Sequence, residues 1–280
     1  MLLALPVAWM GGCSGVPLAY NNGPQLAWWW IDGYFDFSRE QTPAVKQGLD
    51  QLFDWHRSTQ LALYLPFLAT AQAQVTEPTT AALACRWQNQ GRELLEPTLE
   101  RTLNSAADLL PSLGEAQFKH LEKRYVKVLD EMRDNFLQPD VGERNQQSVK
   151  RALERAERLY GRLDEAQKRV VNAGVAASPF NPDLWWQERQ RRQRDTVQTL
   201  RRLATDKADR DQRLAALRTL VARVERSPDA AYRAYQIKLT EYNCAFAAQL
   251  HNATTLAQRK QARETLKDWE GDLRGLMGRE

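Results

Sequence analysis

The spacing of apolar residues restricts the fold of this chain more than any other feature. Phe118, Leu121, Tyr125, Val128, Met132 and Phe136 step by three or four residues, as one face of a helix requires. Val149, Leu153, Ala156, Tyr160 and Leu163 repeat the pattern, with Glu154 and Arg158 as a favourable pair on the outside, and Leu214, Leu217, Val221 and Val224 repeat it again. Strand-like alternation is almost absent. Helix starts are marked as well: Pro43 follows Thr42, Pro179 follows Ser178, Pro182 follows Asn181 and Pro228 follows Ser227, each a proline suited to a first helical turn behind a capping side chain. Ser112 and Glu115 have the spacing of a capping box. These signals predict helices starting near residues 43, 79, 113, 142, 164, 182, 209, 228 and 255. The fold they imply is all-α, a single bundle of about eight or nine helices without a fixed-period repeat. Pro66 and Pro97 interrupt helical runs and predict kinks or breaks there.

With 280 residues, 43% of them hydrophobic, the chain can bury a substantial core. Its net charge of +4 is local: Arg189, Arg191, Arg192, Arg194, Arg201 and Arg202 face only Glu188 and Asp195 between residues 187 and 202, which gives that stretch +4 by itself. Trp185 and Trp186 precede it, and residues 187–196 contain no apolar side chain. A helix polar all round projects into solvent or meets a charged partner. A solvated face is the simpler expectation, and Arg189, Arg191, Arg192 and Arg194 contacting an anionic partner is the functional one.

Near the start, Tyr20, Asn21 and Asn22 precede Trp28, Trp29, Trp30, Asp32, Tyr34, Phe35 and Phe37. Consecutive tryptophans at 28–30 sweep about 200° of a helix, so at least one must turn away from any single core. Two readings stand: aromatics at the headgroup level of a membrane, or a short central helix for which Asp32 and the asparagines are buried polar contacts.

Catalytic signatures are missing. There is no Gly-x-Ser-x-Gly elbow, Ser-x-x-Lys, His-Glu-x-x-His, phosphate-binding glycine loop or Cys-x-x-Cys. The three histidines, His56, His120 and His251, fall on different predicted helices, so none has a ligand partner at helical spacing, and each is expected as a partly buried, hydrogen-bonded ring. The expectation is therefore a protein without catalytic residues, metal or cofactor. An enzymatic alternative would have to gather Asp32, His56 and His120 into one pocket. After Thr70 no stretch approaches the length of a membrane-crossing helix.

Residues 1–12 (MLLALPVAWMGG) carry no charge, are apolar through Met10 and end in small residues before Cys13, as a secretory apolar region and cleavage site do. Gly11, Gly12 and Cys13 resemble the lipobox of bacterial lipoproteins. The basic start is missing and Met10 stands where that motif usually has Leu; a start assigned too far downstream accounts for the first departure. The competing reading is a buried N-terminal helix with a core cysteine. The resemblance implies a signal segment at 1–12, a periplasmic helical domain at 13–280 lipidated on Cys13, and, with Ser14 in place of Asp, an outer-membrane address. Acyl chains contribute about 0.8 kcal/mol per buried methylene, enough for two or three to hold a domain on a membrane. In an oxidising compartment Cys85 and Cys244 are candidates for a disulfide, the alternative being two separate buried thiols. Nucleic acid is not an expected partner there.

The chain also resembles a family of outer-membrane lipoproteins of Gram-negative bacteria, all-helical and without an assigned activity. The similarity is carried by Tyr20-Asn21-Asn22, Trp29-Trp30, Asp32-Gly33-Tyr34, Trp55-His56-Arg57, residues 152–164, Ser178-Pro179-Phe180, and Cys244, Asn252, Gln258 and Arg259. It implies an address and a fold, with no catalytic residues. A fainter similarity is to the Spy-like periplasmic chaperones, through Leu113 with Gln117, Leu163 with Gln167, and Thr255 with Gln258; plain capping chemistry explains these too. The leading expectation is a non-enzymatic, lipid-anchored envelope protein that binds an envelope protein, lipid headgroups or peptidoglycan. A Spy-like chaperone or stress sensor is the alternative.

Overall fold

A computed structural model describes residues 15–206 and 208–278. The signal segment 1–12 and the lipid-acceptor Cys13 lie outside the described residues. The helices are α1 (Gly15–Asn21), α2 (Gly23–Phe35), α3 (Thr42–Trp55), α4 (Leu61–Gln74), α5 (Ala81–Glu93), α6 (Glu96–Leu109), α7 (Glu115–Phe136), α8 (Val141–Tyr160), α9 (Glu165–Ala176), α10 (Pro182–Thr205), α11 (Arg210–Glu225), α12 (Ala230–Asn252) and α13 (Leu256–Met277). No strand occurs among the described residues, so the all-α class holds.

Among the described residues thirteen α-helices correct the expected eight or nine. The predicted starts each fall within two residues of an observed one, and the unpredicted helices are α1, α2, α4 and α6. The physical reasons differ. Pro97 lies in the first turn of α6 and separates it from α5, as a proline without a donor N–H does. Pro66 does not break its helix: α4 runs through it, carried by Leu61 and Leu68, which are 2% and 8% exposed on either side. The irregularity lies one turn upstream, where residues 56–60 form a π turn between α3 and α4 and the Leu61 N–H donates to the His56 carbonyl.

Capping is mostly local and readable. Asp140, Asp164, Asp209 and Thr255 accept from backbone N–H groups three residues on, at the heads of α8, α9, α11 and α13. Two expected caps shift. The Gly114 N–H donates to Gln117 Oε1 at the start of α7, while Glu115 instead meets Arg201. Asp229, not Ser227, caps α12, because the Ser227 hydroxyl is buried and donates to Glu188.

The main core gathers α2, α3, α6, α7, α10 and α11 around Trp28, Val45, Ala107, Phe118, Leu121, Leu200 and Leu217. A second core joins α8, α9 and α12 at Ala156, Val171 and Leu250, with Leu163 from the loop before α9. Burying each large apolar side chain contributes about 1.5–3 kcal/mol. α13 lies along α4, and α12 along α5. Gly174 lets α9 approach α12 closely, since a Cβ there would sit 2.2 Å from the Phe246 ring. Cys85 of α5 and Cys244 of α12 are disulfide-bonded, with Cα atoms 5.3 Å apart and 159 residues between them in sequence.

Candidate functional site

The first described helix, α1, meets the rest of the fold at the π turn, while α2 packs on α3 and α7. In a regular helix consecutive side chains diverge by about 100°. At the π turn, however, two neighbours both reach α1: His56 Nδ1 lies 2.7 Å from the Tyr20 hydroxyl, and the Arg57 guanidinium donates to Asn21 Oδ1 at 2.9 Å. The other imidazole nitrogen, Nε2, lies 2.9 Å from the Tyr64 hydroxyl of α4. Arg57 also donates to the Leu276 carbonyl at 3.0 Å, capping the end of α13, and lies 5.1 Å from the Tyr20 ring centre. Phe53 meets Tyr20 edge-on at 5.6 Å. The π turn thus joins α1, α4 and α13.

Burial sets the protonation of this chain of rings. It pushes His56 below its ordinary value, raises Tyr20 to about 12 despite the opposing Arg57 charge, and raises Tyr64 against the nearby Thr98 hydroxyl. A neutral imidazole has one N–H, so one tyrosine donates to the ring and the other accepts from it. Neutral phenols and a neutral imidazole hold α1, the π turn and α4 together through hydrogen bonds.

The aromatic segment divides between the two readings. Trp28 is buried and stacks on Phe37 at 5.9 Å with the Lys46 ammonium 4.9 Å from its ring, whereas Trp29 is 63% and Trp30 48% exposed. Leu18 and Val16 of α1 are exposed as well. Asp32 accepts from the Phe37 N–H and ends α2, ahead of Asp36 with its φ of 51°; Asn21 and Asn22 are exposed rather than buried.

The basic stretch is not a solvated face. Glu188 is 4% exposed and accepts from Arg191 at 2.8 Å, Arg192 at 2.7 Å and Ser227 at 3.0 Å. Asp195 pairs with Arg223 at 2.8 Å and with Arg191 at 3.4 Å, and the Arg189 guanidinium lies over Trp185. Of residues 187–196, only Gln187 and Arg194 are exposed. Residues that look like an all-polar surface helix are a polar seam between α10, α11 and the head of α12, because each buried charge has a partner.

His120 and His251 are separate from the π turn. His120 Nε2 reaches the Gly33 carbonyl at 3.2 Å; His251 Nε2 donates to the Glu77 carbonyl at 2.7 Å, which makes its Nδ1 the acceptor of the Tyr160 hydroxyl at 2.8 Å. Among the described residues no hydrogen bond or ring contact joins Asp32, His56 and His120, and no cluster suited to a metal ion occurs. Sequence reasoning did not foresee the Tyr20–His56–Tyr64 chain, although Tyr20-Asn21 and His56-Arg57 both stand among the strings quoted for the resemblance.

Among the described residues the chain is an all-α bundle, braced by buried ion pairs, a disulfide and tyrosine–histidine links. Residues 33–233 match a family of unknown function (DUF6279), and the chain belongs to that family. The matched span contains the π turn and the α10 seam but not α1 or α13. No curated protein and no solved structure matches the chain.

Proposed function

We propose that this protein is a lipid-anchored helical scaffold of the bacterial envelope, held on the periplasmic face of the outer membrane through Cys13 and acting by binding rather than catalysis. The observation that carries the reading is the placement of exposed apolar side chains: Val16, Leu18, Trp29 and Trp30 all lie on the two helices that directly follow Cys13. Indoles and aliphatic side chains at that position suit the headgroup layer beneath an acyl anchor. The π turn then fastens α1 to α4 and α13, so a tether at Cys13 holds the whole bundle. The disulfide between Cys85 and Cys244 supports an oxidising compartment. The Spy-like reading loses support, because the arginines that would make a basic client-binding face are turned into ion pairs with Glu188 and Asp195.

Mass spectrometry of the membrane-extracted chain tests this proposal directly. A chain acylated on Cys13, and a Cys13→Ser variant that leaves the membrane fraction, are the expected results. An unmodified Cys13 in membrane-bound protein would overturn it.

A further inference from the structure

A groove of about 310 Å³ runs between α7 and α10, lined by Tyr125, Val126, Gln190, Gln193, Arg194 and Gln198, and it shares no residue with the π-turn cluster. None of the three glutamine amides has a hydrogen-bond partner among the described residues, and Arg194 makes no ion pair there. Gln190 and Gln193 are half-buried, while Gln198 and Arg194 are exposed. An amide offers two N–H donors and a carbonyl acceptor, so three of them in one groove present a mixed set of donors and acceptors to a ligand from outside.

The charge in the groove is small and directed. Glu122 and Arg201 also line it but pair with each other at 3.1 Å, which leaves Arg194 as the cation of the groove without an ion pair among the described residues. Apolar surface completes it: Val126 is 60% exposed, and the half-buried Tyr125 lines the groove beside it. Neutral amides in excess, a guanidinium without an ion pair among the described residues, and an apolar wall from Val126 and Tyr125 suit a ligand of hydroxyl-bearing rings with a carboxylate. A phosphate-rich ligand calls for several converging free cations instead.

We propose that the α7–α10 groove binds an acidic oligosaccharide, with Arg194 on its carboxylate, Gln190, Gln193 and Gln198 on its hydroxyls, and Val126 and Tyr125 against the apolar face of a sugar ring. This goes beyond membrane anchoring and does not depend on it.

The test is titration calorimetry of the full chain in detergent with tetragalacturonate, and with cellotetraose as the uncharged ligand of equal length. Tetragalacturonate is expected to bind, cellotetraose about tenfold more weakly, and Arg194→Gln and the Gln190→Ala/Gln193→Ala pair to lose about tenfold each. Circular dichroism and the melting temperature, unchanged in these surface variants, verify folding. Three results would overturn the proposal: no heat with either sugar at millimolar concentration, equal affinity in the variants and the parent chain, or full displacement of the sugar by equimolar inorganic phosphate.

Discussion

Glu188 is a carboxylate taken almost entirely out of water, and its neighbours decide its charge. Burial pushes its carboxyl up, but the hydrogen bonds from Arg191, Arg192 and Ser227 outweigh burial and leave it below its ordinary value of 4.5. A group with a depressed folded value stabilises the fold above its unfolded value, and this contribution is lost as the pH falls from about 4.5 through the folded value. Replacing Glu188 by Ala leaves two arginines facing a vacated, largely buried site, and we expect a loss of about 3 kcal/mol in urea denaturation. His56 and His251 act in the same direction at a higher pH. Burial holds both below 6.5, so the unfolded chain takes up those protons first, and their contribution, complete above about 6.5, is lost on acidification. The melting temperature should therefore fall between about pH 7.5 and 5.5, and a His56→Gln/His251→Gln variant should flatten that part of the profile. An unchanged slope in the double variant would show that other groups control it. These roles were only half legible in the sequence. The sequence showed Glu188 and Asp195 only as the two acids within a basic stretch, because the burial of Glu188 involves Ser227, a residue 39 positions away.

At the level of elements, local chemistry was legible wherever a cap or periodic face sufficed. Asp140, Asp164, Asn181, Asp209 and Thr255 mark helix heads by their own side chains, so those starts could be read without tertiary information. The π turn could not, because its extra residue is rewarded by Tyr20, Asn21, Tyr64 and Leu276, which are brought to it by the folded bundle. Deleting the exposed Ser58 should restore a regular ladder and rotate α4 by about 100° relative to α3, displacing Leu61 and Leu68 from their buried positions. We expect this to cost about 2–5 kcal/mol, as emptying a buried leucine site does, read from the urea midpoint. Helix α5 is held differently: no residue in it is buried, and Cys85 ties it to α12. The loop closed by that bond spans 159 residues, for which chain entropy gives about 4–5 kcal/mol. Cys85→Ser/Cys244→Ser should lose up to that amount, and hydrogen exchange should accelerate in residues 81–93 before it does in α7. Equal acceleration everywhere would show that α5 is not a separately tethered element.

For the whole molecule, the net charge of +4 does not by itself make an electrostatic membrane anchor, because several cations of its most basic helix are held in ion pairs. Surface cations hold anionic membranes only when they are free to face them, at about 1 kcal/mol for each Lys or Arg near the surface. In α10, Arg191 and Arg192 are committed to Glu188, and Arg201 to Glu115 and Glu122. Attachment through acyl chains, with Trp29 and Trp30 beside them, depends on apolar burial, which added salt does not weaken. Two vesicle experiments separate these modes. The acylated chain should remain on vesicles containing anionic lipid as salt rises to about 0.5 M, where the screening length has shrunk to a few ångströms. The Cys13→Ser chain should bind such vesicles weakly, and Trp29→Ser/Trp30→Ser should reduce that residue of binding at both low and high salt. If the Cys13→Ser chain instead binds strongly at low salt and is released at high salt, charge is the anchor, supplied by cations outside the ion pairs, Arg194 among them.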